Sequence, residues 1–435
     1  MPRLLAIAAA LGLLAVSYSL IGQPDPTVPA SALHQPSAVP DRIILTWSGD
    51  PATTASVTWR TAVSVSRPVI QFAPAEDGAG FVKTAQTLPA RSEPLKTIMN
   101  ESLYHSVQLT GLRPDSPYVY RVGDGFNWSD WNQFRTAAAG PAPLEFIYVG
   151  DAQNDLFSLW SRVIRAGYSD APKSRFILHA GDLINTADRD DQWGEWHQAA
   201  GWINRSVFSV PTPGNHEYGR NAAGERELNA NWRPQFTLPE NGVTGLPETN
   251  YYLDIQGVRI ISLNSNRQHQ EQAAWLDRLL ADNPNRWTLL TFHHPILSTA
   301  KGRDNKEIRD LWQPVIDKYK VDMVLTGHDH TYGRSNLQTG LTTKKGGTVY
   351  VVSVSGPKMY NLERQQWMAR AAEDTQLYQI ININGDRLTY QARTARGDLY
   401  DSFELRKSPG KPNRLIDQIP ARPENRRAPV AAAAE

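Results

Sequence analysis

The chain has 435 residues, 40% of them hydrophobic, which supplies the cores of two or three ordinary domains and excludes a disordered or fibrous protein. Lys and Arg total 45 against 44 Asp and Glu, so no broad basic surface points to nucleic acid or an anionic membrane as partner, and any anion must be recognised locally. Cysteine is absent, which removes disulfides, thiolate metal sites and cysteine nucleophiles together.

The opening "MPRLLAIAAALGLLAVSYSLIGQ" sets Arg3 before an uncharged apolar run, Leu4 to Leu20, with small residues at Ser17 and Ser19. Residues 1–22 read as a secretory signal peptide or, if uncleaved, an anchor. The expected location is the bacterial periplasm or the medium, and a membrane is expected as partner only through that leader. A Pro-rich linker, residues 23–40, follows.

Residues 41–138 contain short runs that alternate apolar and polar positions: "RIILTWS", "ASVTWRT", "PVIQFAP", "YHSVQLTGL" and "YVYRVGD". Period-two alternation broken by turn residues predicts an all-β sandwich. The segment "LTGLRPDSPYVYRV" resembles the end of a fibronectin type III domain, with Tyr118 as its corner tyrosine. Nothing in this module has catalytic character.

From residue 144 to 405 strands alternate with helical segments, which predicts an α/β domain around a largely parallel sheet. One helix is legible in Ile308, Leu311, Trp312, Val315, Ile316 and Tyr319, a single apolar face at helical spacing. A second carries Trp275, Leu276, Leu279 and Leu280. Residues 408–435 lack periodicity and read as a disordered tail.

Five apolar runs in this domain each stop at a polar residue able to bind metal. They are "EFIYVGD" at Asp151, "RFILHAGD" at Asp182, "VFSVPTPGNHE" at Asn215 and His216, "WTLLTFHH" at His293 and His294, and "VDMVLTGHDH" at His328 and His330. In α/β sheets ligands sit beyond the carboxyl ends of strands, so the five loops converge on one rim. Mixed carboxylate, amide and imidazole donors suit Zn, Mn or Fe better than Ca or Mg. There are more donors than one tetrahedral ion needs, and two ions sharing a carboxylate would use them. If residues 328–330 are extended, His328 and His330 point the same way and each reaches one ion.

Taken in order, "GDAQ", "GDLIN", "GNHE", "FHHP" and "GHDH" are similar to the motif set of calcineurin-like metallophosphoesterases. With the fibronectin-like module in front, the nearest resemblance is to the purple acid phosphatase branch, over roughly residues 41 to 405. The resemblance implies β-sheets flanked by helices in a four-layer sandwich and two divalent or mixed-valence ions of Fe, Zn or Mn. It makes Asp151 and His330 ligands of the first ion, Asp182 the bridge, and Asn215, His293 and His328 ligands of the second. His216 resembles the residue that contacts phosphate and protonates the leaving group, and His294 a rim residue that meets substrate.

Two departures from the branch stand out. Its second motif carries a tyrosine three residues after the bridging aspartate, where this chain has Asn185, and its first motif has glycine where this chain has Gln153. Gln153 and Asn185 are therefore possible further ligands of the first ion, through an amide oxygen. The substrate histidines of plant members are replaced by "STAKGRDNKEIRD", in which Lys301 and Arg303 are candidate phosphate clamps.

His179, His197 and the 13 tryptophans read as packing residues, and Arg334 as a buttress or a residue near the site. The expected function is hydrolysis of a small phosphomonoester. The alternatives are a phosphodiesterase with the same metal site and a catalytically silent envelope adhesion or scaffold protein. The oligomeric state is not legible in the sequence.

Overall fold

The computed structural model describes residues 28–344 and 346–427. The predicted leader, the start of the linker and the end of the predicted tail lie outside the described residues. Residues 28–35 belong to a unit separate from the rest, in which Ala30–Leu33 make one helical turn. The rest of the description concerns the unit that begins at Pro36.

The sandwich has two antiparallel four-stranded sheets. One runs Asp41–Thr46, Ala55–Thr61, Glu101–Leu109, Arg91–Lys96, and the other Gln86–Pro89, Val69–Pro74, Pro117–Gly123, Asn132–Arg135. Alternation sends Val57, Trp59, Ile70, Phe72, Tyr120 and Val122 into the core. The Tyr118 hydroxyl accepts the Arg113 backbone N–H at 2.9 Å, the bond expected of a corner tyrosine.

The α/β domain has two seven-stranded sheets, both mixed. In the first, Phe208–Pro211, Phe176–His179 and Leu144–Val149 run parallel, and the four strands from Leu377–Asn384 to Lys411–Asp417 add on antiparallel. In the second, Val258–Ser262, Trp287–Thr291, Met323–Thr326 and Val349–Val352 are parallel, with antiparallel neighbours at both sides. One largely parallel sheet was the expectation. Short turns join the later strands of the first sheet, and only a long crossover allows a parallel return.

Period two also sets the layers. Ile260, Leu289 and Leu325 face the large shared core, whereas Ile261, Leu290 and Val324 face helices His269–Ala281 and Lys306–Tyr319. Helix Ser161–Asp170 covers the first sheet, where a side chain at Gly167 would touch Ile147 and Tyr378. The order is helix, sheet, sheet, helix.

The sandwich meets the α/β domain through a buried seam. Arg42 Nη1 lies 2.6 Å from Asp190 Oδ1, and Arg60 reaches Asp190 at 3.3 Å and Asp41 at 2.6 Å. Trp47 stacks on Phe208 with centroids 4.0 Å apart.

The tail departs from expectation. Lys411–Asp417 is the last strand of the first sheet, Asn413 donates to Asp322 at 2.6 Å and Asp417 pairs with Arg334 at 2.8 Å. Farther on, Glu424 accepts the Ala371 N–H at 2.8 Å. An edge strand needs one partner and few apolar residues, so Pro and Arg content did not preclude it.

Candidate metal centre

All five polar strand ends come together. Asp151, Asp182 and Asn215 follow the three parallel strands of the first sheet, and His293, His328 and His330 follow two strands of the second. Asp151, Asp182, His328 and His330 have φ of 49°, 52°, 75° and 47°, the left-handed region that non-glycine residues seldom enter. Glycines make room for the carboxylates. A Cβ on Gly214 would lie 2.1 Å from Asp182 Oδ1, and one on Gly327 would lie 2.4 Å from Asp151 Oδ2.

The donors form two groups that share one residue: Asp182 with His293 and His328, and Asp182 with Asp151 and His330. This is the division expected from the resemblance, with Asp182 common to both. His328 and His330 do reach different groups, but from a left-handed bend and not from an extended segment. Asp329 between them turns away and accepts the Thr299 and Ala300 N–H groups at 2.6 and 3.2 Å, which pins the bend.

Hydrogen bonds fix which nitrogens face inward. His293 Nδ1 donates to the Ala180 carbonyl at 2.9 Å and His330 Nδ1 donates to the Lys358 carbonyl at 2.9 Å, so each presents Nε2 to the centre. His293 Nε2 lies 3.1 Å from Asp182 Oδ2, 3.1 Å from Asn215 Oδ1 and 3.1 Å from His328 Nδ1. One proton cannot serve three acceptors at once. A cation can, and donors about 3.0 Å apart are what adjacent ligands at about 2.1 Å from one ion have.

The electrostatics agree with that fit. Asp151 and Asp182 are 0% and 1% exposed, and among the described residues their ion-pair partners are histidines alone. Burial raises the Asp151 carboxyl well above the usual range. Burial also works to raise Asp182, but the charge and hydrogen bond of His293 outweigh it and hold that carboxyl low. Against its own burial, His293 is lifted to about 9, chiefly by Asp182. The carboxylates thus demand positive charge where His293 Nε2 sits. Burial pushes His330 down to about 3 and His328 well below its ordinary value, which keeps both in the neutral form that binds metal.

Gln153 enters the same centre. Its Nε2 donates to Asp182 Oδ2 at 2.9 Å and to His330 Nε2 at 3.0 Å, while its buried Oε1 has no partner. The Asn185 side chain bonds Thr186 Oγ1 at 3.3 Å, and its backbone carbonyl accepts His216 Nδ1–H. His216 Nε2 then lies 3.9 Å from Asp182 Oδ2, and the His216 N–H donates to Asp182 Oδ1 at 2.9 Å. The His294 ring lies 4.2 Å from that of His328, tilted by 51°, and His294 bonds Ser265 Oγ through Nδ1 at 2.8 Å. Arg303 Nη1 donates to the His328 carbonyl at 2.8 Å, whereas Lys301 is exposed beyond it.

Two residues of the site escaped the sequence reading. Glu217 is buried and its carboxylate accepts the N–H groups of Asp182, Leu183 and Gly214 at 3.0, 2.8 and 2.6 Å, tying the second motif to the third. Its place as the last residue of "GNHE" was the available signal. Tyr360 packs its ring against His330, centroids 4.5 Å apart and planes tilted by 56°, and carries Arg303 over that ring at 4.6 Å. It comes from a loop that follows no motif. His179 and His197 are buried among aromatic rings, and Arg334 is a buttress bonded twice to Asp401 at 2.9 Å.

Comparison with known proteins gives the class. Residues 40–136 match the purple acid phosphatase N-terminal domain and residues 144–332 the calcineurin-like phosphoesterase family. The chain belongs to the calcineurin-like metallophosphoesterases, in the purple acid phosphatase-like branch. An uncharacterized protein of Mycobacterium tuberculosis is 29% identical over 325 residues, which is 65% of this chain and 60% of that relative. The match thus spans less than two thirds of the mycobacterial protein. Human acid phosphatase type 7 is 27% identical over 342 residues, covering 70% of this chain and 72% of the relative. The fold is that of purple acid phosphatase PPD1 from yellow lupin seeds, with a TM-score of 0.74 at 18% identity over 86% of this chain and 75% of that one.

Proposed function

We propose that the protein is an exported phosphoesterase that hydrolyses phosphomonoesters with two metal ions held by Asp151, Asp182, Asn215, His293, His328 and His330. One observation carries the reading: two donor groups share Asp182, an arrangement that sets two cations within reach of one phosphoryl group. Ions bound by these residues would supply a water of lowered pKa and a charge that polarises the phosphoryl oxygens. The similarity to human acid phosphatase type 7 supports the monoester.

The chain's own side chains do the remaining work. His216 donates an Nδ1–H hydrogen bond to the Asn185 carbonyl, which aims Nε2 at the site, where it protonates the departing alkoxide. Arg303, held by the His328 carbonyl, offers its remaining N–H groups to phosphate oxygens. Lys301 adds charge at the rim, and His294 fixes the orientation of His328.

Asn185 stands where the branch has its tyrosine, so this position supplies no phenolate, and the ion pair is divalent and without a purple charge-transfer band. Gln153 Oε1, buried and without a partner, is the amide oxygen available to the first ion. The apolar leader supports export, and among the described residues no helix is long and apolar enough to cross a membrane.

The test compares p-nitrophenyl phosphate with bis(p-nitrophenyl) phosphate on protein supplied with Mn, Zn or Fe, with Asp182→Asn as control. Faster turnover of the monoester by wild type, lost in the control, is expected. Faster turnover of the diester would make the protein a phosphodiesterase. Equal rates in wild type and control would leave the scaffold reading.

A further inference from the structure

A short hairpin, Tyr218–Arg220 paired with Arg226–Leu228, grows directly out of the turn that supplies Asn215 and His216. It is anchored at its base. The Asn229 N–H donates to the Glu217 carbonyl at 3.0 Å, and the Tyr218 hydroxyl accepts from Asn264 Nδ2 at 2.6 Å. Since Glu217 also holds the Asp182 loop, the hairpin is fixed relative to the metal centre.

Strand alternation sorts the charges of this hairpin. Glu225 and Glu227 fall on one face, where both accept from Asn221 Nδ2 at 3.3 Å. Arg226 falls on the opposite face, where Nη2 donates to the Asn215 carbonyl at 2.5 Å. Among the described residues no carboxylate is within ion-pair reach of Arg226, and the rest of its guanidinium is exposed. Arg303 is already engaged by the His328 carbonyl, by Asp329 at 3.5 Å and by the Tyr360 ring. Of these two arginines, Arg226 is the one whose charge is left uncompensated, and it sits against the residue that precedes His216.

We propose that Arg226 is a specificity-determining residue that binds a second anionic group on the leaving alcohol, which makes esters of acidic alcohols the preferred substrates. This rests on reading the metal centre as a phosphomonoesterase site with His216 on the leaving-group side. With ions bound by the Asp and His ligands, the transferred phosphoryl group would lie against them and Arg303. The alcohol departs past His216, and a carboxylate or phosphate on it meets a planar fork of N–H donors held ready by a backbone carbonyl. A neutral alcohol gains nothing there.

Two measurements on the metal-loaded full chain decide the matter. The first is kcat/KM for 3-phosphoglycerate relative to glycerol 3-phosphate. The second is calorimetric affinity for 3-phosphonopropionate relative to propylphosphonate, which needs no turnover. Wild type should favour the charged member of each pair, Arg226→Gln should lower both ratios about tenfold, and Arg226→Lys should retain part of the preference. Ratios that move less than twofold in Arg226→Gln, or a wild type without preference, overturn the assignment. Arg226-dependent phosphonate binding without hydrolysis of any phosphoester would keep Arg226 as an anion-binding residue but overturn its role in substrate choice, because the phosphatase reading beneath it would have failed.

Discussion

The seam between the two domains and the rim of the metal centre both bury carboxylates, and they balance them differently. At the seam Asp190 meets Arg42 at 2.6 Å and Arg60 at 3.3 Å, and the Tyr104 hydroxyl takes a further Arg42 proton at 2.9 Å. At the rim Asp151 and Asp182 meet imidazoles, an amide and backbone N–H groups. A buried carboxylate paired with guanidinium is a finished structural element. One that shares its surroundings with imidazoles, and has no guanidinium or ammonium beside it, is a site for a cation.

Removing the shared carboxylate tests the rim side hardest. Asp182→Asn should lower kcat/KM by roughly three orders of magnitude or more, because both ions lose a ligand and several kcal/mol of charge stabilisation go with them. Elemental analysis of the purified variant should show less than the wild-type metal content, and a full metal complement with full activity would refute the shared-ligand geometry.

At the seam the expected effect is on stability. Asp190→Ala leaves Arg42 without its main partner in a buried place and should cost about 3–5 kcal/mol in denaturant unfolding, with bound metal per folded molecule unchanged. A loss below about 1 kcal/mol would show that the seam is not the closed, dry network it resembles.

His216 gives a smaller, selective effect. His216→Ala should lower kcat roughly a hundredfold for alkyl phosphates, at the low end of general-acid contributions. The loss should be smaller for p-nitrophenyl phosphate, whose leaving group needs little protonation. An equal loss for both would assign His216 to binding instead.

The smallest effect is in pH dependence at the seam. Burial first, and then the charge of Arg42, push His197 down to about 3 from its ordinary 6.5. The unfolded chain therefore takes up a proton below about pH 6.5 that the folded protein refuses until about pH 3. Stability is complete above that window and falls as the pH drops through it. His197→Gln should flatten the acid slope of Tm between pH 6.5 and about 4 relative to wild type, and an unchanged slope would remove His197 from the account.

Much of this was legible in the sequence because strand ends and glycines leave local marks. Five apolar runs ending in Asp, Asn or His identified the rim, and the glycine before each of Asp151, Asp182, Asn215 and His328 marked tight turns. What was hidden lies across long separations. Nothing near Tyr360 signals that its ring will lie on His330, and the Glu217 clamp shows only once two loops are adjacent. The i, i+2 argument for His328 and His330 reached the right outcome by the wrong backbone, because left-handed φ angles do not show in residue type. The Lys411–Asp417 strand was missed because it carries no apolar alternation of its own: its ladder partner Leu399–Ser408 directly precedes it, but the groups that hold its side chains, Asp322 and Arg334, are far away in the chain.

That last strand matters for anyone who trims the gene. A fragment ending near Lys407 would look tidy by composition, yet it would strip the cover from Leu399–Ser408 and leave its row of backbone donors and acceptors open to a neighbouring molecule. It would also take the Asn413 amide from Asp322, a carboxylate buried at 1% exposure whose remaining cation would be Lys407, the new terminus. Such a fragment should precipitate or self-associate where the longer chain stays in solution.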